Sequence, residues 1–400
     1  MPVSDFANLR HLYAIAEIAR QGSVRRAATI VHLSQPALTQ ALAQAEEALG
    51  QRLFERAASG MVPTPAAAAL AERIDRAFAW LAAAERLFGG APLHRLVTRV
   101  QLQALIAAVD NGSISVAARR LGVHQPSVTR AVRDLETLCG KRLFDRSHHG
   151  ITPTREAREL ARHAGLALAE LQQGVEVFRE THGQIDGRIL VGSLPLARSA
   201  LVPTAITRLL ARYPEVRLRV VDGPYPELLH ELRSGRLDFI VGALRLPPPA
   251  DIRQESLFTD SLSLVVRPGH PLTRKATLAA SDLAGLDWVL PPEGAPGRGL
   301  FEDFCRSVGL EQPRHVIECS SLVAVRALLL QSDRAALLSR AQVGYEVETG
   351  QLAVLGDPLP HTARPIGLAL RSDWRPTQAQ ATFLELLREA VAETAQPASR

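Results

Sequence analysis

A chain of 400 residues, 46% hydrophobic and 22% charged with a net charge of +5, can hold two to four domains with apolar cores, and its composition excludes a disordered or fibrous polypeptide. Cys139, Cys305 and Cys319 are scattered, without a CxxC or a histidine at ligand spacing; no zinc site, disulfide framework or cofactor is expected, and a reducing cytoplasm is. The N-terminus carries no signal-peptide pattern and no run of about 18 apolar residues occurs anywhere, so no membrane partner is expected.

In chain order, the first informative stretch is Gly22–Thr64. It returns without a gap 90 positions later as Gly112–Thr154, with about 17 of the 43 residues identical. A match this dense is an internal duplication. In the second copy Ser113 can cap a helix that runs to about Leu121, with small Ala117 and Ala118 for close crossing, and Gly122 makes a turn. A second helix begins near Gln125-Pro126, with proline in the first turn, and ends near Gly140. Val128, Val132 and Leu135 share one face of it, and Ser127, Arg130 and Arg133 the other. Arg-Leu-Phe then leads into a wing carrying Arg146, His148 and His149. A helix with a buried face and an exposed Ser/Arg face, set after a tight turn, suits entry into a major groove. Gln125, Ser127, Thr129, Arg130, Arg133 and Arg146 are therefore the candidate DNA contacts of this copy.

The first copy repeats the skeleton, with Ser34, Gln35, Thr39 and Gln40 as its candidates. Gln40 replaces Arg130 and Ala43 replaces Arg133. This copy holds 4 basic and 3 acidic residues, the second 7 basic and 3 acidic. DNA affinity rests largely on phosphate neutralisation, so the second copy is expected to be the stronger binder. For the first, a weaker DNA reader and a protein–protein module both stay open.

Each copy is followed by a helical seam: Leu70, Ile74, Ala77, Leu81, Ala84 and Phe88, then Ala161, Ala164, Leu168, Leu171, Val175 and Phe178. Their 3.5-residue period needs a partner helix. From Gly187 onward strands and helices alternate: strands at 188–192, 216–221, 239–241, 262–266, 288–290, 315–318, 335–338, 352–355 and 366–370, and a last helix over 377–392. This βαβ rhythm predicts a mainly parallel sheet, folded as two α/β lobes with a ligand cleft where strand ends converge. Candidate effector contacts follow strands: Ser193, Arg245, Pro292, Glu293, Gly294, Ser320 and Ser321. Arg245 could pair with a carboxylate, and Ser193 could help form an anion site at a helix start. The Gly-rich run 294–299 lacks the spacing of a nucleotide loop.

Both copies of the duplicated segment resemble the N-terminal domain of the LysR-type transcriptional regulators, and the resemblance extends over nearly the whole chain; the duplication itself departs from the family pattern. It implies an α/β protein with an all-α N-terminal part: two winged helix-turn-helix domains, linker helices and a two-lobed effector domain like that of periplasmic solute receptors. The expected segments are 1–64, 65–92 (linker), 93–154, 155–186 (linker), lobe I at 187–261 with 365–400, and lobe II at 262–364. The implied partners are double-stranded DNA, a small polar or anionic effector in the cleft and a second copy of the chain, in a dimer or tetramer joined through the linker helices. RNA polymerase is a further partner the resemblance admits. An enzyme using the cleft is the remote alternative, without a catalytic motif to support it.

Overall fold

The computed structural model describes residues 8–394 apart from 59, 148, 149, 314 and 357. The wing-tip residues His148 and His149 thus lie outside the described residues. The first half is helical. α1 (Leu9–Gln21), α2 (Val24–Ile30) and α3 (Gln35–Leu49) precede wing strands β1 (Phe54–Ala57) and β2 (Gly60–Pro63), then α4 (Pro65–Glu85). After the short α5 (Leu93–Leu96) the series returns as α6 (Arg99–Asn111), α7 (Ile114–Leu121), α8 (Gln125–Cys139), β3 (Phe144–Ser147), β4 (Gly150–Pro153) and α9 (Arg155–Glu180).

The elements repeat because their local causes repeat. Ser23 and Ser113 cap α2 and α7, each accepting a backbone N–H at 3.4 Å, and Thr64 and Thr154 cap α4 and α9 in the same way. Glu46 and Glu136, 90 positions apart, each accept the backbone N–H of the leucine that opens the wing, Leu53 and Leu143, at 2.8 Å. The turn before α3 and α8 is where the copies part. Gly122 takes φ +67°, but its counterpart is His32 at φ +52°, a left-handed position that costs a side-chain-bearing residue. Arg10 holds that turn: its guanidinium donates to the Val31 carbonyl at 3.0 Å and to that of His32. The second copy has Val100 in place of Arg10.

The linker seams find their partner inside the chain. Leu70 and Arg73 of α4 meet Gly174 of α9, Arg73 and Arg76 meet Glu170, and Trp80 meets His163, with ring centroids 5.6 Å apart. Numbers rise along α4 as they fall along α9, so the helices run antiparallel. A β-carbon at Gly174 would stand 2.9 Å from that of Arg73, so only glycine permits this closeness. Ala77 and Ala167, both fully buried, are 90 positions apart near the middle of the pair. The expected dimer seam, with Leu171 and Phe178, is therefore corrected: those side chains are 3% and 1% exposed, inside a core shared with α4. Two copies of one amphipathic helix on one chain can pair locally, which removes the need for a second subunit there.

The second half is α/β. Lobe I begins with β5 (Arg188–Ser193), α10 (Pro195–Ser199), α11 (Leu201–Arg212), β6 (Arg217–Asp222), α12 (Tyr225–Arg233), β7 (Phe239–Ala243) and β8 (Ile252–Asp260). Lobe II holds β9 (Leu262–Val266), α13 (Ala280–Leu283), β10 (Trp288–Leu290), α14 (Pro296–Ser307), β11 (Val316–Glu318), α15 (Leu322–Leu330), β12 (Ala336–Ser339), α16 (Gly344–Glu348) and β13 (Ala353–Leu355). The chain then returns to lobe I through β14 (Arg364–Arg371) and α17 (Gln378–Thr394). The lobe I sheet has the order β6-β5-β7-β14-β8. β6, β5 and β7 are parallel, whereas β14 runs antiparallel to β7 and β8. The sequence reading missed β8, a charged edge strand whose apolar residues do not alternate. In lobe II, β12-β9-β13 is antiparallel and β10–β11 parallel, so the mainly parallel expectation holds only for part of each lobe.

A buried polar network ties the helical head to lobe I. Arg73 also donates to the Arg375 carbonyl at 2.9 Å. Gln173 donates to Asp238 at 3.1 Å, and Asp238 accepts the Leu190 N–H at 2.8 Å. Glu180 accepts the first N–H groups of α17.

Candidate DNA-reading face and effector cleft

α3 and α8 bury one face and present the other. On α8, Val128, Ala131, Val132 and Leu135 are buried, while Gln125, Ser127, Arg130 and Arg133 are exposed and Thr129 is half-buried. The Thr129 hydroxyl donates to the Gln125 carbonyl at 3.1 Å, and Ser115 donates to the Gln125 side chain at 3.0 Å, setting its orientation. Neither Arg130 nor Arg133 has an ion-pair partner among the described residues, so two guanidiniums on one face stand ready for phosphate or base-edge acceptors. Arg146 belongs to β3, next to the wing tip. On α3, Ser34, Gln35, Thr39 and Gln40 are exposed. Ser34 caps the helix by accepting the Ala37 N–H at 3.3 Å, and the Thr39 hydroxyl donates to the Gln35 carbonyl at 2.9 Å. Apart from Arg146 on β3, each set of candidates gathers on one helix or at its N-cap, with the guanidiniums on α8 and only amides and hydroxyls on α3.

A cleft of about 610 Å³ opens between the lobes. From lobe I it is walled by Leu194, Leu196, Tyr225 and Arg245, and from lobe II by Val289, Leu290 and the turn Pro291–Gly294. Of the candidates, Arg245, Pro292, Glu293, Gly294 and Ser320 line it. Ser193 and Ser321 do not. β5 extends through Ser193, so strand alternation puts this side chain on the face of Ile189 and Val191, against the core. It is fully buried, its hydroxyl without a hydrogen-bond partner among the described residues, and Leu194 takes the helix-opening place. Ser321 caps α15, accepting the Ala324 N–H at 3.5 Å.

Arg245 follows β7 as expected. Its guanidinium lies over the Tyr225 ring, 4.1 Å from the centroid, and donates to the Ala243 carbonyl at 3.1 Å. It has no acidic partner among the described residues. Burial pulls its pKa down, and the nearby Arg364 adds to that. The other cleft cations are satisfied: Arg198 pairs with Asp222 at 2.7 Å and Arg364 with Asp260 at 3.0 Å. Asp260 also accepts the Ser339 hydroxyl at 2.5 Å, so Asp260, Ser339 and Arg364 join the two lobes where the chain crosses between them. Tyr225, Arg198 and Arg364 were missed from sequence. Tyr225 opens α12 directly after β6, so the rule that found Arg245 would have found it too.

The described residues contain no cluster suited to a metal ion and no helix long and apolar enough to cross a membrane. Residues 182–392 match the LysR substrate binding domain. Residues 9–68 and again 100–158 match the bacterial regulatory helix-turn-helix protein of the lysR family. The chain is 35% identical over 395 residues to the HTH-type transcriptional regulator GalR of Pseudomonas putida, covering 98% of this chain and 99% of that protein; the similarity therefore spans both helix-turn-helix copies. It is 30% identical to the regulator PcaQ of Agrobacterium fabrum over 73% of this chain and 94% of that protein. Among solved structures, a full-length OxyR variant from Pseudomonas aeruginosa superposes with a TM-score of 0.54 at 23% identity, covering 74% of this chain and 94% of that one. CbnR, a LysR family transcriptional regulator, gives 0.53 at 20% identity, covering 74% and 99%. With two regulatory helix-turn-helix domains joined to an effector cleft, the chain belongs to the LysR-type transcriptional regulators, DNA-binding proteins whose action at the operator is modulated by a small molecule.

Proposed function

We propose that this regulator grips its operator chiefly through α8, with Ser127, Thr129, Arg130, Arg133 and Arg146, and answers to a small carboxylate-bearing effector with an apolar body. It is read as a cytoplasmic regulator without turnover of its ligand. The observation that carries the effector reading is Arg245: a half-buried cation facing the cleft, with an aromatic face and a carbonyl for neighbours and no acidic partner among the described residues. A carboxylate would complete it with a charge-assisted pair. Leu194, Leu196, Val289 and Leu290 offer apolar surface for the remainder of the ligand. Bridging the lobes, such a ligand would favour one lobe arrangement over others, and only that difference in affinity can move the DNA-binding units.

The test is a panel of small carboxylates and the matching amides, read by thermal shift and calorimetry. Carboxylates should raise Tm, the amides should not, and Arg245→Ala should lose the response while leaving DNA binding without ligand nearly intact. Equal binding of acids and amides, or an unchanged Kd in Arg245→Ala, would put the ligand elsewhere. Product formed from any bound acid would favour the enzyme alternative.

A further inference from the structure

We infer that a single chain is a complete two-headed DNA reader, and that its partner is a duplex site with two unlike half-sites. The inference rests on the reading of α3 and α8 as recognition helices. It goes further in assigning both to one chain and one site.

The α4–α9 pair is heterotypic by its own chemistry. The 90-residue relation between the copies carries Arg73 to His163 and Trp80 to Glu170. In the antiparallel pair these positions meet crosswise, as Arg73 with Glu170 and Trp80 with His163. The first contact is a buried ion pair at 2.9 Å, with both side chains less than 10% exposed. Arg76 completes it, reaching the second carboxylate oxygen of Glu170 at 2.8 Å. The second contact is a tilted ring pair, with the planes at 49°.

Two α4 helices in the same geometry would set Arg73 against Trp80 twice, burying two cations without a carboxylate. Two α9 helices would set Glu170 against His163 twice, exchanging two permanently charged guanidiniums for one imidazole at each carboxylate; the uncompensated charge falls on the α4 pair. Unpaired buried charge is strongly disfavoured, so the helices select each other over their own copies. Gln173, Asp238 and Arg375 then lock this pair to lobe I of the same chain.

A symmetric dimer of identical readers matches a palindrome. This head presents Arg130 and Arg133 on one side and Gln40 beside Ala43 on the other, all exposed. Arginine favours guanine edges and phosphates, whereas glutamine favours adenine. The two boxes of the site should therefore differ in sequence, with the stronger phosphate grip on the α8 side.

Selection of binding sites from random duplex DNA by the full chain tests this. The expected consensus has two different boxes. Arg130→Ala with Arg133→Ala should relax base preference in one box only, and Gln40→Ala in the other only. A palindromic consensus, both substitutions acting on one box, or no effect of Gln40→Ala on either box would overturn the inference while leaving the regulator intact. No enrichment of any sequence would strike the recognition-helix reading as well.

The covalent form of the test is Trp80→Cys with His163→Cys, each single variant serving as a control. Oxidation should give a cross-linked monomer, and disulfide-linked dimers would show that α4 and α9 pair between chains. Should the cysteine pair prevent folding, a duplex carrying a photo-cross-linker in each box decides: one chain joined to both boxes supports the inference, and two chains each joined to one box overturn it.

Discussion

Ala27, Leu38, Leu53 and Phe54 in the first winged copy, and Ala117, Val128, Leu143 and Phe144 in the second, are all at most 7% exposed. Meanwhile Gln40 and Ala43 occupy the exposed places that Arg130 and Arg133 hold. The interior is kept because a close-packed core tolerates little change in volume. The surface is open to change because a substitution there leaves the packing alone. The linker helices diverged differently. α4 and α9 meet through a buried Arg73–Glu170 pair at one point of contact and a tilted Trp80–His163 ring pair at the other, so the duplicated helices are complementary instead of merely similar.

The corresponding positions 80 and 170 carry the largest expected difference between the two linker helices. Glu170→Leu leaves Arg73 buried without its carboxylate and should cost about 3–5 kcal/mol. Trp80→Ala removes one ring of a tilted pair at a half-buried site and should cost less, about 1–2 kcal/mol. Urea unfolding of the helical head would measure both. Equal costs would mean that the ion pair contributes packing only.

Next comes pH. Burial pushes the Glu176 carboxyl up to about 7, so the folded chain holds a proton that unfolding releases. On its own this makes stability fall by about 3 kcal/mol as pH rises from 4.5 to 7. Burial pushes His163 down to about 4, so the unfolded chain takes up a proton that the folded one refuses, and stability rises with pH between about 4 and 6.5. The two opposing slopes overlap and largely offset one another. Glu176→Gln should expose the rising slope, and His163→Phe, which keeps a ring beside Trp80, the falling one. Unfolding at several pH values would show it; variants that follow the parent profile would remove both groups from the account.

On DNA, Arg130→Ala with Arg133→Ala should cost about 1–3 kcal/mol and lower the salt slope by about 1 for each phosphate that is no longer neutralised. Gln40→Ala should cost less and leave the slope unchanged. Binding titrations at several salt concentrations decide, and equal losses at equal salt would remove the asymmetry between the copies.

The smallest effect is at the turn. His32→Gly gives the first copy the glycine of the second and should stabilise it by about 0.5–1 kcal/mol, relief of the left-handed strain being partly offset by backbone entropy. A lower Tm would mean that the His32 ring itself supports the turn.

Much of this was legible from residue order. Capping serines, Gln-Pro helix starts and turn glycines act over a few residues, so both helix-turn-helix units and their exposed faces could be read directly. Arg245 could be read too, because a turn after a buried strand lies at the strand's carboxyl end. Ser193 was misplaced by one step: whether a strand stops at residue 192 or 193 depends on its register with β6 and β7, and that single residue decides between cleft and core. β8 was hidden because an edge strand with one solvated face carries charges that break alternation.

The largest difference lies in the linker seams. Their period announced that each helix needs a partner, but the sequence does not say which. Only the folded chain decided that, through the glycine at 174 that lets the helices close, the carboxylate of Glu170 placed between Arg73 and Arg76, and the backbone path that brings α9 against α4. Periodicity is a local property of a helix, whereas the choice of partner depends on shape and charge meeting across about 90 residues of intervening chain.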